Sequence, residues 1–283
     1  MLPTTVATMC RYVIFLSDAL RYTTIDNYVS GVVSLNKYFG IDASHIRQDY
    51  SFIATMAGLR RILGDPAPVR VTLSLGNMLS MFYSVDLLNS NDRVIWACIV
   101  TSFRSLLRKS NLVPESSLKL KGHYLRRGAV AFEQWGVMLS ISSSKTIQYG
   151  QRTHQVPVVF APGSPLCAAS LLWKHFKEHP APLSAPAFLL RRGGLSVPLT
   201  YGVLLKELKR LIGVVGVDPH RAGVHSLRRA GAAFMHQVGI PLEDIRQTGD
   251  WASLAALLYL AKPMSARIAL DKRSAHALLA AGY

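Results

Sequence analysis

Between residues 128 and 159 the period of the chain changes. On either side, apolar residues recur at three- and four-residue spacing; inside, AVAFEQ, GVMLSIS and HQVPVV are β-prone, and the polar segment SSKTIQYGQRT separates the last two. One short β-prone stretch in an otherwise helical sequence restricts the chain to a mainly α fold with a small antiparallel sheet. The spacing predicts a three-stranded meander whose second connection carries Lys145.

The helical periodicity falls into blocks. Residues 4 to 20, 24 to 39 and 50 to 63 form a first group, which ends at GDPAPVRVT, residues 64 to 72, where two prolines mark a linker. This predicts a helical module over 1–66 and a larger domain over 67–283. In the larger domain, helices are expected at 73–84, 92–108, 165–178, 200–214, 226–238, 241–247, 252–260 and 272–281. The second of these carries Ile95, Ile99 and Phe103 on one face and Arg104 and Arg108 on another, and ends by delivering Arg108 into RKSNLVP. The first module spans only about 66 residues.

Charge separates the two parts further. The 32 Lys and Arg against 16 Asp and Glu leave a net of +16, yet the chain up to Pro66 holds six basic and five acidic residues, so nearly all the excess lies beyond it. A segment this basic is the electrostatic footprint of a nucleic-acid binder, because neutralising phosphates releases counterions. A merely solubilising surface, or attraction to anionic lipid, produces the same composition. Cys10, Cys98 and Cys167 form no CxxC pair and sit in apolar stretches, as buried thiols in a reducing compartment do. YVIFL is too short for a signal peptide, and the longest uncharged run, 156 to 173, is broken by Pro157, Pro162, Gly163 and Pro165, so no membrane segment is expected. An intracellular protein is expected, nuclear in a eukaryotic host.

HSLRR, 225 to 229, opens a helix and sets His225 and Arg228 three apart. Alone this pattern is weak. Its context is an order: Arg108, then Lys145 between two strands, then His225 and Arg228, then Tyr259, which lies 31 residues past Arg228. In that order, and in the stretches VHSLRRAGAAFMHQVGIPLEDIRQTGDWASLAALLYL, LLRKSNLVP and SKTIQYGQRTHQVPV, the sequence resembles the tyrosine recombinase (phage-integrase) family over its whole length. The wording LRKSNLVP with GDW is most similar to recombinases of eukaryotic mobile elements of the DIRS, Ngaro and Crypton groups.

The resemblance implies a two-domain architecture, a helical core-binding domain plus an α+β catalytic domain with a C-terminal docking helix. It implies a site-specific recombinase acting on double-stranded DNA as a homo-tetramer, a monomer or dimer without DNA, with no cofactor. Tyr259 would attack the scissile phosphate and leave a 3′-phosphotyrosine and a free 5′-hydroxyl. The chemistry suits the residue types. A phenol can hold a phosphoryl group and still leave on religation, and two arginine forks suit the charge on the non-bridging oxygens. Arg108 and Arg228 are the expected clamp, with Arg104 the alternative for the first position. Lys145 is placed to protonate the departing oxygen, and His225 to exchange a proton with the Tyr259 hydroxyl or support the phosphate. Lys109, Arg152 and Arg229 are expected phosphate contacts.

Other readings stand beside these. Tyr259 also fits the core of an apolar helix, Arg108 a helix C-terminal cation and Lys145 an ordinary turn. A type IB-like topoisomerase or resolvase, or a non-cutting DNA-binding derivative, fits the same motifs. One position departs from the family: after Gly249, where His or Trp is usual, stands Asp250, with Trp251 next. A carboxylate beside a phosphate repels it unless it faces away or is paired. Trp251 is therefore expected to pack on the phosphate site or donate its indole N–H there, and Asp250 to lie behind it, facing away or paired with a cation such as His225. The remaining histidines, His123, His154, His175, His179, His220 and His236, read as surface or core residues. No metal-ligand spacing and no phosphate-binding GxxxxGK[ST] loop occurs, so neither metal nor ATP is expected.

Overall fold

The computed structural model describes residues 3–64, 71–117, 120, 122–144, 146–147 and 149–251. The chain divides into two compact units, Met1–Val69 and Arg70–Tyr283. The helices expected at 252–260 and 272–281, together with Lys145 and Tyr259, lie outside the described residues.

The first unit holds α1 (Val6–Ser17), α2 (Tyr22–Tyr38) and α3 (Tyr50–Leu63). Thr5 caps α1 by accepting from the Thr8 amide, and Asp49 caps α3 by accepting from Ser51 and Phe52, as short polar side chains do at helix starts. Their apolar faces meet in a core of Met9, Val13, Ile25, Val29, Ile46, Phe52, Met56 and Leu59. The spacings 9/13, 25/29 and 52/56/59 are the helical repeat that the sequence displays. The buried Asn36 is fully engaged: its Nδ2 donates to Thr4 Oγ1 at 3.0 Å and Val32 O at 2.8 Å, and its Oδ1 accepts from the Thr4 amide.

The second unit is built round one buried helix. After α4 (Leu75–Phe82), α5 (Ser90–Ser105) buries every residue from Val94 to Phe103, so it is covered on all sides. Against it pack α6 (Ala168–Glu178) and α8 (Val224–Gln237), with α7 (Tyr201–Val214) and α9 (Leu242–Gly249) the remaining α-helices among the described residues. The meander is β1 (Val130–Glu133), β2 (Gly136–Ile141) and β3 (His154–Val159), antiparallel, with Val130 opposite Leu139 and Ile141 opposite His154. Val137, Leu139, Ile141, Val156 and Val158 turn inward, the period-two burial of a one-sided sheet. A second hairpin, β4 (Leu189–Arg192) with β5 (Leu195–Pro198), turns on Gly193 and Gly194, both at positive φ, and was not expected. No helix among the described residues is long and apolar enough to cross a membrane.

Two local features place the site. α8 crosses α5 where a Cβ on Gly231 would lie 1.9 Å from the Phe103 carbonyl oxygen, so only glycine permits this approach. That brings Arg228, one turn earlier, to the C-terminal end of α5. Secondly, α5 stops at Ser105 because Leu106 turns left-handed at φ 54°. The expectation of a helix to 108 is corrected here: Arg108 sits on extended backbone before a 3₁₀ turn, Lys109–Asn111.

Candidate active site

Arg228 is 2% exposed, and its two terminal nitrogens donate to Leu106 O and Gly249 O. One guanidinium thus ties the ends of α5 and α9 together, a favourable place for a cation at two helix C-termini. The Trp251 ring lies under it, 3.9 Å from the guanidinium carbon to the ring centre. Leu106, Ala232 and Ile245 close the apolar side of this stack. Gly249 is required here too, since a Cβ would fall 1.9 Å from Trp251 Cζ3.

α9 ends with Trp251 N donating to Arg246 O and Asp250 N to Gln247 O, the paired bonds that close a helix through a left-handed residue. That residue is Asp250, at φ 53°. Its carbonyl oxygen accepts from Arg108 Nη2 at 3.1 Å, and its carboxylate faces Arg108 Nη1 at 3.6 Å. The same carboxylate accepts from Thr146 Oγ1, from Ser144 Oγ at 3.4 Å and from Arg152 Nη2. Arg108 also approaches Thr146 Oγ1 at 3.3 Å and Ser144 Oγ at 3.5 Å. Burial by itself would raise the Asp250 carboxyl, but hydrogen bonds from Thr146 and Arg152 and the charges of Arg152 and His154 hold it below the usual carboxylate range.

The β2–β3 connection is held in place by Ile147, which is fully buried, and by Asn111, whose Nδ2 donates to Ser143 O at 2.7 Å and His123 O at 3.1 Å. The asparagine of RKSNL therefore fixes the loop against the turn that carries Arg108. A cleft of about 860 Å³ opens beside Asp250, lined by Thr146, Arg152, His154, Arg246, Gln247 and Trp251 among others.

The structure thus brings Arg108, Arg152, Arg228, Asp250 and Trp251 together. His225 is exposed at the start of α8, and Arg229 is half-buried beside Arg228. Lys109 is engaged elsewhere, with Glu115 at 2.9 Å and over the Tyr201 ring at 3.9 Å, and the hydrogen bond to Glu115 raises its ammonium. Arg104 stays within α5, where its charge acts on Cys167. The cations at the Asp250 carboxylate are Arg108, from the turn after α5, and Arg152, from the β2–β3 connection. Trp251 meets the cluster through the Arg228 stack. His154, read as an ordinary surface or core histidine, lies at the cluster: its Nε2 is 3.1 Å from Thr248 O. Ser144 and Thr146 were not singled out from the sequence, although both flank Lys145 in SSKT. No grouping of three or more metal-ligating side chains occurs among the described residues.

Comparison with known proteins gives the fold a class. The fold is that of site-specific recombinases and integrases. It is similar to the XerH site-specific recombinase bound to palindromic difH substrate (TM-score 0.62, 17% identity, 91% of this chain and 69% of the other). It is similar also to the Tn1549 transposon integrase in complex with transposon right end DNA (TM-score 0.65, 15% identity, 96% and 86%), and to a lambda integrase dimer bound to a core site (TM-score 0.58, 13% identity, 91% and 80%). No protein-family model matches the chain. In sequence it is 26% identical over 259 residues to an integrase/recombinase XerD homolog of Selenomonas ruminantium, covering 87% of this chain and 70% of that one. The relative and the structures agree on a recombinase/integrase fold for this chain.

Proposed function

We propose that this protein is a site-specific recombinase that cuts and rejoins duplex DNA through a 3′-phosphotyrosyl intermediate on Tyr259. The observation that carries this reading is the convergence of Arg108 and Arg228, 120 residues apart in sequence, on Asp250 and Trp251, the residues that lead directly into the segment bearing Tyr259.

In this reading Tyr259 Oη attacks the scissile phosphorus, the bond to the 5′ oxygen breaks, and that oxygen leaves with a proton supplied by Lys145. Arg108 and Arg228 bear the charge on the non-bridging oxygens. His225 exchanges the phenol proton, Trp251 orients Arg228, and Arg152, Arg229 and Lys109 contact DNA phosphate. Attack by a 5′-hydroxyl of another strand on the phosphotyrosine reverses the steps and rejoins DNA, with the energy of the phosphodiester conserved. The first unit is the helical DNA-binding half, and four copies assemble on two sites. LRKSNLVP and GDW support an origin in a eukaryotic mobile element, and with it a nuclear setting.

A second reading has one observation in its favour: Asp250 occupies Arg108, as in a derivative that binds DNA without cutting it. The test uses duplexes from a randomised pool, nicked next to the scissile position so that the cut strand diffuses away. A covalent adduct that disappears in Tyr259→Phe is expected; binding with no adduct at any sequence selects the non-cutting reading. Strand exchange between two linear duplexes, as opposed to relaxation of a supercoiled circle alone, separates recombinase from topoisomerase.

A further inference from the structure

The Asp250 carboxylate is surrounded as an anionic ligand would be. One oxygen meets Thr146 Oγ1, Ser144 Oγ and Arg108 Nη1, and the other meets Arg152 Nη2. Two guanidinium groups and two hydroxyls from two separate chain segments, the turn after α5 and the β2–β3 connection, thus converge on a single flat anion, whose side chain is 11% exposed. A phosphodiester presents the same features, one negative charge over two oxygens, and asks for the same donors. We propose that this is a DNA-phosphate seat made of Arg108, Ser144, Thr146 and Arg152, and that Asp250 fills it in the DNA-free chain and is displaced when a phosphate arrives. The identification of phosphate as the incoming anion rests on the DNA-cutting reading above.

Charge and space both support displacement. Carboxylate and phosphodiester are each monovalent here, so the exchange leaves the two arginines neutralised to the same extent. The two anions cannot share the seat, because like charges within a few ångströms repel strongly at a half-buried position. The adjoining cleft, which Asp250 itself lines, gives its side chain somewhere to turn without unwinding α9. Asp250 is then a gating residue: it keeps the arginines ordered while the site is empty and weakens phosphate binding by competing for them. Ser144 and Thr146 become phosphate contacts on either side of Lys145.

The test measures the binding of a fluorescent mixed-sequence duplex to Tyr259→Phe chain, in which no covalent chemistry intervenes, over a range of salt. Asparagine tolerates the left-handed conformation, so Asp250→Asn keeps the end of α9. It is expected to tighten binding at least about fivefold at physiological salt. It should also steepen the plot of log affinity against log salt by about 1 to 2, since each freed cation adds about 0.9 to the slope on B-DNA. Adding Thr146→Val to Asp250→Asn should then weaken binding at least about threefold, as a lost phosphate donor. If Asp250→Asn does not fold, Asp250→Gly, with the residue best suited to positive φ, carries the same expectation. Weaker binding, or an unchanged salt slope, overturns the proposal and leaves Asp250 as a support for Arg108. Absence of a covalent adduct in the Tyr259-bearing chain would instead count against the cutting reading, whatever the Asp250 variants do to binding.

Discussion

Replacing Arg228 by lysine removes a fork that holds two buried carbonyl groups at once. An ammonium reaches Leu106 O or Gly249 O but not both, and the carbonyl left without a donor costs about 1–3 kcal/mol. Loss of the planar stack on Trp251 adds about 0.5–2 kcal/mol. The positive charge at the two helix ends is retained, so the dipole contribution survives. The expected loss is about 2–4 kcal/mol, a large part of the ~5–15 kcal/mol that separates folded from unfolded domains. All four tryptophans, Trp96, Trp135, Trp173 and Trp251, lie in the second unit, so indole fluorescence during urea titration reports that unit alone. With a slope of about 2–3 kcal/mol per molar urea for a unit of this size, the midpoint should fall by about 1 M. A fall of less than about 0.3 M with an unchanged slope would refute the tie between α5 and α9 as a source of stability.

Gly249→Ala drives a methyl group into the Trp251 ring, 1.9 Å from Cζ3, so the indole must leave the Arg228 stack. A loss of about 1–3 kcal/mol with a red-shifted emission is expected, and unchanged emission would show that the stack does not form. His175 is 4% exposed and burial pushes its imidazole down to about 3, so it is neutral in the folded chain at any ordinary pH. The unfolded chain, with an imidazole near 6.5, takes up this proton first, so stability should fall as pH drops from about 6.5 toward 3, by up to about 1.4 kcal/mol per pH unit. His175→Gln should flatten that slope in a pH series of urea midpoints, and an identical slope would place the proton uptake elsewhere.

The meander was legible because β-branched residues and inward alternation coincide over 136–141 and 154–159. The hairpin at 189–198 was not, since LLRR and LSVP are four residues each and only the Gly-Gly turn marks them. The break after Ser105 is likewise invisible locally. Leucine is a poor left-handed residue, and what occupies the Leu106 carbonyl is Arg228, 122 residues later. The same holds for Asp250. Its place after Gly249 marked it as unusual, but the cations around it come from segments that no local pattern links to α9. His154 shows the converse, a residue inside a quoted stretch that no spacing singled out, placed at the cluster by its register opposite Ile141 at the mouth of the β2–β3 connection.

The contacts that define this cluster join residues 104, 122 and 142 positions apart in the chain. Such contacts form late, because long loops must close before any of them rewards the chain. During synthesis Arg108 and the β2–β3 connection emerge well before Arg228 and Asp250 exist. A nascent or truncated chain that lacks α8 and α9 therefore carries most of the positive charge but no organised pair of arginines. In such a chain the charge precedes the arrangement of the cluster, which is complete only with the last third of the sequence.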